Sequence, residues 1–221
     1  MVKHIFFDID DTLFPTTEFA ELARKKAIRA MVEMGLEESQ EKIYAILMKV
    51  IRERGPNYPN QFDEVCKKLK VKGPAKYIAA AVGAYHAAKT SIQPYPEVPR
   101  TLMKLREESY KLYIASNGTS VKQWDKLILL GIPLFFEDVF ISESVGEEKS
   151  ERFFRNAMRK IRARPGECVM VGDKPSADII PAKKAGMKTI RVLMGKHKGE
   201  KGKADAEIRN FAELPKILGK L

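Results

Sequence analysis

The stretch KHIFFDIDDTLF, residues 3–14, places three aspartates, Asp8, Asp10 and Asp11, directly after a run of apolar residues. An apolar run of this length predicts a buried β-strand close to the start of the chain. Carboxylates packed this closely repel one another and resist the loss of their water. Two interpretations fit the stretch alone: a surface turn in which Asp11 caps a helix, or a site that binds a cation or handles an anion.

The composition is that of a globular protein. The chain has 221 residues, 44% of them apolar, which suffices for one sizeable core or a core with a smaller insert. Charged residues make up 31% and there are two cysteines, a combination typical of heat-adapted proteins. Cys66 and Cys168 are expected to be free thiols in a reducing, cytoplasmic compartment. Neither a signal peptide nor a membrane span is expected.

The charge balance is basic, with 40 Lys and Arg against 29 Asp and Glu. Such a surplus suits nucleic acid, anionic lipid or a small phosphorylated substrate. Most cations are dispersed along predicted helices, and the densest stretch is GKHKGEKGK, residues 195–203, called the basic loop below. Because it has no aromatic residue on which a base could stack, it is predicted to be a flexible, solvated loop. A nucleic-acid partner is therefore not expected.

The periodicity of apolar residues divides the chain into two regions. Residues 16–91 show helical periodicity throughout and predict a small bundle of four amphipathic helices. From residue 94 onward, apolar strands alternate with helices, which predicts an α/β fold with a doubly wound, mostly parallel sheet. Since the first strand belongs to that sheet, residues 15–93 are predicted to form a helical domain inserted into a core of residues 1–14 and 94–221.

Polar residues follow several of the predicted strands. Ser116 and Asn117 come after LYIA, Lys149 follows VFIS by a short turn, and Gly172 and Asp173 come after CVMV. Open parallel sheets bind their ligands at the carboxyl ends of their strands. These residues are therefore expected to meet the aspartates of the first strand in one crevice.

The predicted crevice combines the chemistry needed for phosphoryl transfer. The carboxylates of Asp8, Asp10 and Asp173 are hard oxygen ligands of the kind that Mg²⁺ prefers. Ser116 can donate a hydrogen bond to a phosphoryl oxygen, and Lys149 supplies a fixed positive charge. Both are needed because a phosphoryl group carries negative charge on its oxygens and repels an anionic nucleophile.

These motifs resemble the haloacid dehalogenase superfamily over essentially the whole chain, in the subfamily with a helical cap inserted after the first motif. The D-x-D-x-T motif is Asp8–Thr12, and Ser116 and Lys149 match the second and third motifs. The fourth, G-D-x-x-x-x-D, is Gly172–Asp178. The resemblance implies an Mg²⁺-dependent phosphatase that hydrolyses a small phosphate monoester through an aspartyl phosphate.

The resemblance also implies a role for each matching residue. Asp8 would be the nucleophile, and Asp10 the general acid and base, which calls for a raised pKa. Lys149 would be catalytic and, with Ser116 and Asn117, would bind the phosphoryl oxygens. Asp8 and Asp10 would also bind the metal, together with Asp173, and Asp178 would support these ligands. Asp11 would cap the next turn.

The sequence departs from the family motifs at two places, and it leaves three alternative functions open. Lys149 precedes Ser150 where the family often has proline, and Lys174-Pro175 follows the fourth-motif aspartate where a small hydroxyl residue is common. A metal-independent 2-haloacid dehalogenase, a phosphomutase and a non-catalytic anion- or nucleic-acid-binding protein are the alternatives. The expected partner is a small phosphorylated metabolite, such as a sugar phosphate or nucleotide, and both a monomer and a homodimer are compatible with the sequence.

Overall fold

The computed structural model describes residues 1–221 and contains one sheet of six parallel strands. In chain order these strands are β1 (His4–Phe7), β2 (Lys111–Ser116), β3 (Asp138–Ile141), β4 (Cys168–Gly172), β5 (Lys188–Val192) and β6 (Ala206–Ile208). Across the sheet they lie in the order β3-β2-β1-β4-β5-β6, and every neighbouring pair is parallel. The predicted doubly wound parallel sheet is confirmed.

Ten α-helices accompany the sheet. They are α1 (Thr16–Glu33), α2 (Gln40–Arg54), α3 (Gln61–Lys68), α4 (Ala75–Lys89), α5 (Val98–Glu107), α6 (Ser120–Leu129), α7 (Ser142–Val145), α8 (Glu151–Lys160), α9 (Ile180–Lys184) and α10 (Leu214–Leu218). A π-helical turn, Pro175–Ile179, leads directly into α9. None of the helices is both long enough and apolar enough to cross a bilayer.

The chain divides into two compact units, one of residues 1–17 with 92–221 and one of residues 18–91. The second unit has its own core, to which all four of its helices contribute buried side chains such as Met31, Leu47, Val65 and Ala81. The sequence predicts boundaries after residues 14 and 93, close to these. That the helical unit serves as a cap stays a prediction.

The sheet is covered by helices on both faces, so its strands are almost wholly apolar. Every residue of β4 is buried, and Phe6 of β1 is completely inaccessible to solvent. Phe153 and Phe154 of α8 pack with Phe6 in one apolar cluster. Burial of an aromatic side chain of this size contributes about 1.5–3 kcal/mol, so this packing holds α8 firmly against the sheet.

The strand register brings three chain segments to one edge of the sheet. Phe7, the last residue of β1, lies opposite Ile114 of β2 and Val171 of β4. The residues that follow these positions emerge together because parallel strands run in the same direction. Asp8 therefore lies at the same edge as the residues that end β2 and β4.

Candidate active site

Lys149 is the centre of a buried ionic network at this edge. Its ammonium group donates hydrogen bonds to Asp8 Oδ1 at 2.6 Å and to Asp178 Oδ1 at 2.5 Å. The Lys149 side chain is 3% exposed. Burial opposes its charge, but the negative charges of Asp178 and Asp8 outweigh that effect and raise its pKa. Lys149 is therefore a permanent cation beside Asp8.

Asp8, Asp173 and Asp178 form a cluster of buried carboxylates, and one oxygen of each lies within 4.8 Å of the others. Burial raises the pKa of Asp8 to about 7 against the lowering influence of Lys149. Burial, followed by the charge of Asp8, raises the pKa of Asp173 to about 8. Hard oxygen donors gathered in this way suit a divalent cation, which would relieve their mutual repulsion.

One atom of this cluster lacks any partner. Asp173 Oδ2 is buried and forms no hydrogen bond, although an unpaired buried carboxylate oxygen is costly. Asp178 Oδ2, by contrast, accepts a hydrogen bond from the Lys174 N–H at 2.9 Å. The free oxygen of Asp173 is therefore available to bind a cation.

The π-helical turn and a glycine bring Asp178 into this cluster. A Cβ atom on Gly172 would lie 2.5 Å from the Asp178 carboxyl carbon, so only glycine allows the two segments to approach so closely. The predicted metal-binding set, Asp8, Asp10 and Asp173, thus differs from the carboxylates that the fold gathers, in which Asp178 takes the third place. The metal-binding role of Asp10 stays a prediction.

Asp10 is held by a different set of residues. Lys126 donates to its two carboxylate oxygens at 2.6 and 2.8 Å, and Thr16 Oγ1 donates to Oδ1 at 2.7 Å. Burial raises the pKa of Asp10, but the charge of Lys126 outweighs it and the net pKa is lowered. The expectation of a raised pKa is therefore wrong, because the ion pair with Lys126 outweighs the effect of burial.

Gln123 links Asp10 to the end of β2. Its side-chain amide donates to Ser116 Oγ at 3.0 Å and to the Asn117 carbonyl at 2.6 Å, and it lies 3.4 Å from Asp10 Oδ2. Gln123 and Lys126 are three residues apart on α6 and therefore share one face of that helix. The sequence motifs do not single out either residue, and the only signal for them is this spacing beside the second motif.

The two other predicted phosphate-binding residues are Ser116, the last residue of β2, and Asn117, which follows it. Ser116 is buried, and Asn117 Oδ1 accepts a hydrogen bond from the Lys149 backbone N–H at 2.8 Å. Asn117 thereby fixes the backbone that carries the ammonium group. The fold brings Ser116, Asn117 and Lys149 together with Asp8, and their binding of phosphate stays a prediction.

Asp11 has a structural role, as predicted. Its backbone lies in the left-handed region, with φ of 54°, which turns its side chain towards the start of α1. There the carboxylate accepts hydrogen bonds from the Thr17 N–H at 2.8 Å and the Thr17 hydroxyl at 2.5 Å. These bonds satisfy donors in the first turn of the helix.

The fold and the site together define an α/β enzyme with its polar residues at the carboxyl ends of parallel strands. A family model for haloacid dehalogenase-like hydrolases matches residues 2–186, and the chain belongs to that family. It is an enzyme of the hydrolase class.

Individual proteins of this family are also similar to the chain. The chain is 44% identical over 215 residues to glyceraldehyde 3-phosphate phosphatase of Methanopyrus kandleri, which covers 96% of this chain and 92% of that protein. It is 39% identical over 225 residues to the enzyme of the same name from Methanocaldococcus jannaschii, covering 100% and 99%. The crystal structure of a phosphatase of this family from Thermococcus onnurineus is 27% identical to this chain, with a TM-score of 0.67, and the match covers 99% of this chain and 98% of that one.

Proposed function

We propose that the protein is an Mg²⁺-dependent phosphatase that hydrolyses a small phosphate monoester through an aspartyl-phosphate intermediate. The observation that carries this proposal is the position of Lys149, whose ammonium group contacts Asp8 inside a cluster with an unpaired Asp173 oxygen. A nucleophilic carboxylate, a fixed cation and a place for a metal are the parts that phosphoryl transfer needs.

In the first step, an Asp8 carboxylate oxygen attacks the phosphorus atom and the bond to the leaving oxygen breaks. Asp10 donates a proton to that oxygen, so the product leaves as an alcohol. In the second step, Asp10 accepts a proton from a water molecule as that water attacks the aspartyl phosphate. The bond between phosphorus and Asp8 then breaks and inorganic phosphate is released.

Three further residues stabilise the charge that develops on the phosphoryl oxygens. Lys149 contributes a cation that is already desolvated, which makes its attraction stronger than that of a surface lysine. Ser116, at the end of β2, donates a hydrogen bond, and Asn117 holds the Lys149 backbone in place. Because Ser116 Oγ accepts the hydrogen bond from Gln123, its own O–H remains available to donate to the substrate.

Asp8 and Asp173 would hold Mg²⁺, with Asp178 beside them and Asp10 as the further predicted ligand. When bound, the ion neutralises negative charge on the phosphoryl group. The residues fit this role because their oxygens converge and Asp173 Oδ2 has no other partner. The raised pKa values of Asp8 and Asp173 reflect the same need for a compensating cation.

For the substrate, we propose a small phosphorylated metabolite, with glyceraldehyde 3-phosphate as the first compound to assay. The similarity to two enzymes named for that substrate, at 44% and 39% identity, supports this choice. We also propose that the helical unit, residues 18–91, is the cap that sets substrate choice. The free and buried Cys66 and Cys168 support a cytoplasmic location.

The deciding experiment compares p-nitrophenyl phosphate, glyceraldehyde 3-phosphate and 2-chloropropionate, each with Mg²⁺ and with EDTA. Hydrolysis of the two phosphate esters only when Mg²⁺ is present supports the proposal. Release of chloride without a metal would instead identify a dehalogenase. Transfer of the phosphoryl group to a second hydroxyl of the substrate, detected by phosphorus NMR, would identify a mutase.

A further inference from the structure

The basic loop, residues 195–203, carries four cations that the proposed mechanism does not use. Lys196, Lys198, Lys201 and Lys203 are all exposed, and none forms an ion pair within the chain. Inside the loop, the His197 ring is hydrogen-bonded to the Glu200 carboxylate. Four unpaired charges in so short a segment produce a strong local positive potential.

Arg191 fixes the basic loop to the sheet. This residue of β5 is 2% exposed, and its guanidinium donates to the carbonyls of His197 and Glu200, both at 2.6 Å. Its Nε lies 3.4 Å from the Asp173 carbonyl, and Gly172 is its partner in the strand register. The loop is thus held to the strand end that carries Asp173, in contrast to the flexible segment predicted from the sequence.

Two glycines set the course of the basic loop along the site. Gly195 has φ of +68°, and a Cβ atom on it would lie 2.5 Å from the Asp11 Cβ. At the other end, a Cβ on Gly202 would lie 3.0 Å from Pro175. The loop therefore contacts both the segment that follows Asp8 and the segment that follows Asp173.

We propose that the basic loop is a surface that recruits anionic phosphate monoesters to the active site. The inference rests on the proposed function and adds to it the means by which a dianionic substrate is concentrated at the site. Its lysines are exposed and unpaired, as recruitment by charge requires, while Arg191 and the two glycine contacts keep them beside the buried carboxylates. Such attraction acts before chemistry, so it affects kcat/KM and depends on ionic strength.

The test changes all four loop lysines to glutamine and compares this variant with one of equal charge change elsewhere. The matched control changes four exposed lysines outside the loop that also lack ion pairs: Lys111, Lys188, Lys216 and Lys220. We expect kcat/KM for a phosphate monoester at low salt to fall about three- to tenfold in the loop variant and to stay near wild type in the control. Added NaCl should lower kcat/KM of the wild type and control but leave the loop variant nearly unchanged.

Equal kcat/KM values and salt dependences in the two variants would overturn the proposal. If the wild-type protein hydrolyses no monoester, the proposed function has failed, and titration with inorganic phosphate by calorimetry then tests the loop separately. Weaker phosphate binding by the loop variant alone would support recruitment of anions, and equal binding by both variants would refute it.

A separate experiment tests whether Arg191 holds the basic loop in place. Arg191→Lys keeps the charge but removes the planar guanidinium group, which donates hydrogen bonds to two carbonyls at once. We expect trypsin to cleave this variant faster within residues 195–203, and its kcat/KM to become less sensitive to NaCl. Cleavage at the wild-type rate would show that Arg191 does not fix the loop.

Discussion

The Lys126 ammonium group donates hydrogen bonds to both carboxylate oxygens of Asp10, at 2.6 and 2.8 Å. This ion pair lowers the pKa of Asp10 even though burial acts in the opposite direction. An ionised Asp10 is ready to accept a proton from water but cannot donate one to a leaving group. The pair with Lys126 therefore favours the second step of the proposed mechanism over the first.

Replacement of Lys126 by Met should reverse this preference. Without the ammonium group, the pKa of Asp10 rises, so the acid keeps its proton to higher pH. We expect the alkaline limb of the profile of kcat/KM against pH to move to higher pH for an alkyl phosphate. p-Nitrophenyl phosphate is the control substrate, because its leaving group needs little protonation. Superimposable profiles for wild type and Lys126→Met with the alkyl ester would contradict the prediction.

Asp10→Asn should separate the same two classes of substrate. Asparagine cannot donate a carboxylic proton, so hydrolysis of alkyl phosphates should slow by about 10²–10⁴-fold. Aryl phosphates, whose leaving groups are weaker bases, should lose much less in the step that forms the aspartyl phosphate. The measurement is the pre-steady-state release of the alcohol or phenol. Equal losses for both classes would mean that Asp10 is not the acid.

Asp8→Asn should abolish turnover, because the amide is not a nucleophile and no aspartyl phosphate can form. We expect a loss of more than about 10⁴-fold, with the circular dichroism spectrum unchanged. The matched control is Asp11→Asn, in which the side-chain oxygen still accepts a hydrogen bond from Thr17. This control should retain activity within about threefold, since asparagine is as good a cap as aspartate. Comparable losses in the two variants would contradict the nucleophile assignment.

The sequence is sufficient to predict the parallel sheet and to predict that the residues following its strands lie together at one edge. Parallel strands with both faces covered are apolar throughout, so the first polar residues after β1 and β4 mark the ligand-binding edge. The contact between Lys149 and Asp8 follows from that topology. The place of Asp178 in the cluster depends in addition on the close approach that Gly172 permits.

The partners of these residues are less visible in the sequence. Lys126 and Gln123 lie on an amphipathic helix, where a polar residue normally faces solvent, and only the tertiary packing turns them towards Asp10. Arg191 does leave a signal, since it is a charged residue in the middle of an apolar strand. A buried guanidinium needs acceptors for its donors, and the carbonyls of the basic loop supply them.

Lys149→Met should cost far more stability than Lys126→Met. The first variant leaves Asp8 and Asp178 buried without their cation, and loss of one partner of a buried ion pair costs about 3–5 kcal/mol. The second removes a pair whose side chains are 19% and 33% exposed, where solvent limits the loss to about 1 kcal/mol. Urea denaturation in EDTA measures both free energies of unfolding. A similar loss of unfolding free energy in the two variants would show that Lys149 does not stabilise the buried carboxylates more than Lys126 stabilises Asp10.

Stability in the absence of metal should fall as the pH rises, and Mg²⁺ should reverse that fall. In the folded protein the pKa values of Asp8 and Asp173 are raised to about 7 and about 8. In the unfolded chain both carboxyls lose their protons near pH 4, as ordinary aspartates do. Between these values the folded state binds more protons, so its stability declines with increasing pH.

Mg²⁺ needs ionised carboxylates, so its binding should strengthen over the same range. We expect Mg²⁺ to raise Tm more at about pH 8.5 than at about pH 5.5, since a ligand at about 100 times its Kd adds about 2.7 kcal/mol. Asp173→Asn removes one charge of the cluster and should largely abolish this increment, whereas Asp125→Asn on α6 should preserve it. Increments of equal size at both pH values, or an increment that persists in Asp173→Asn, would rule out these carboxylates as the metal site.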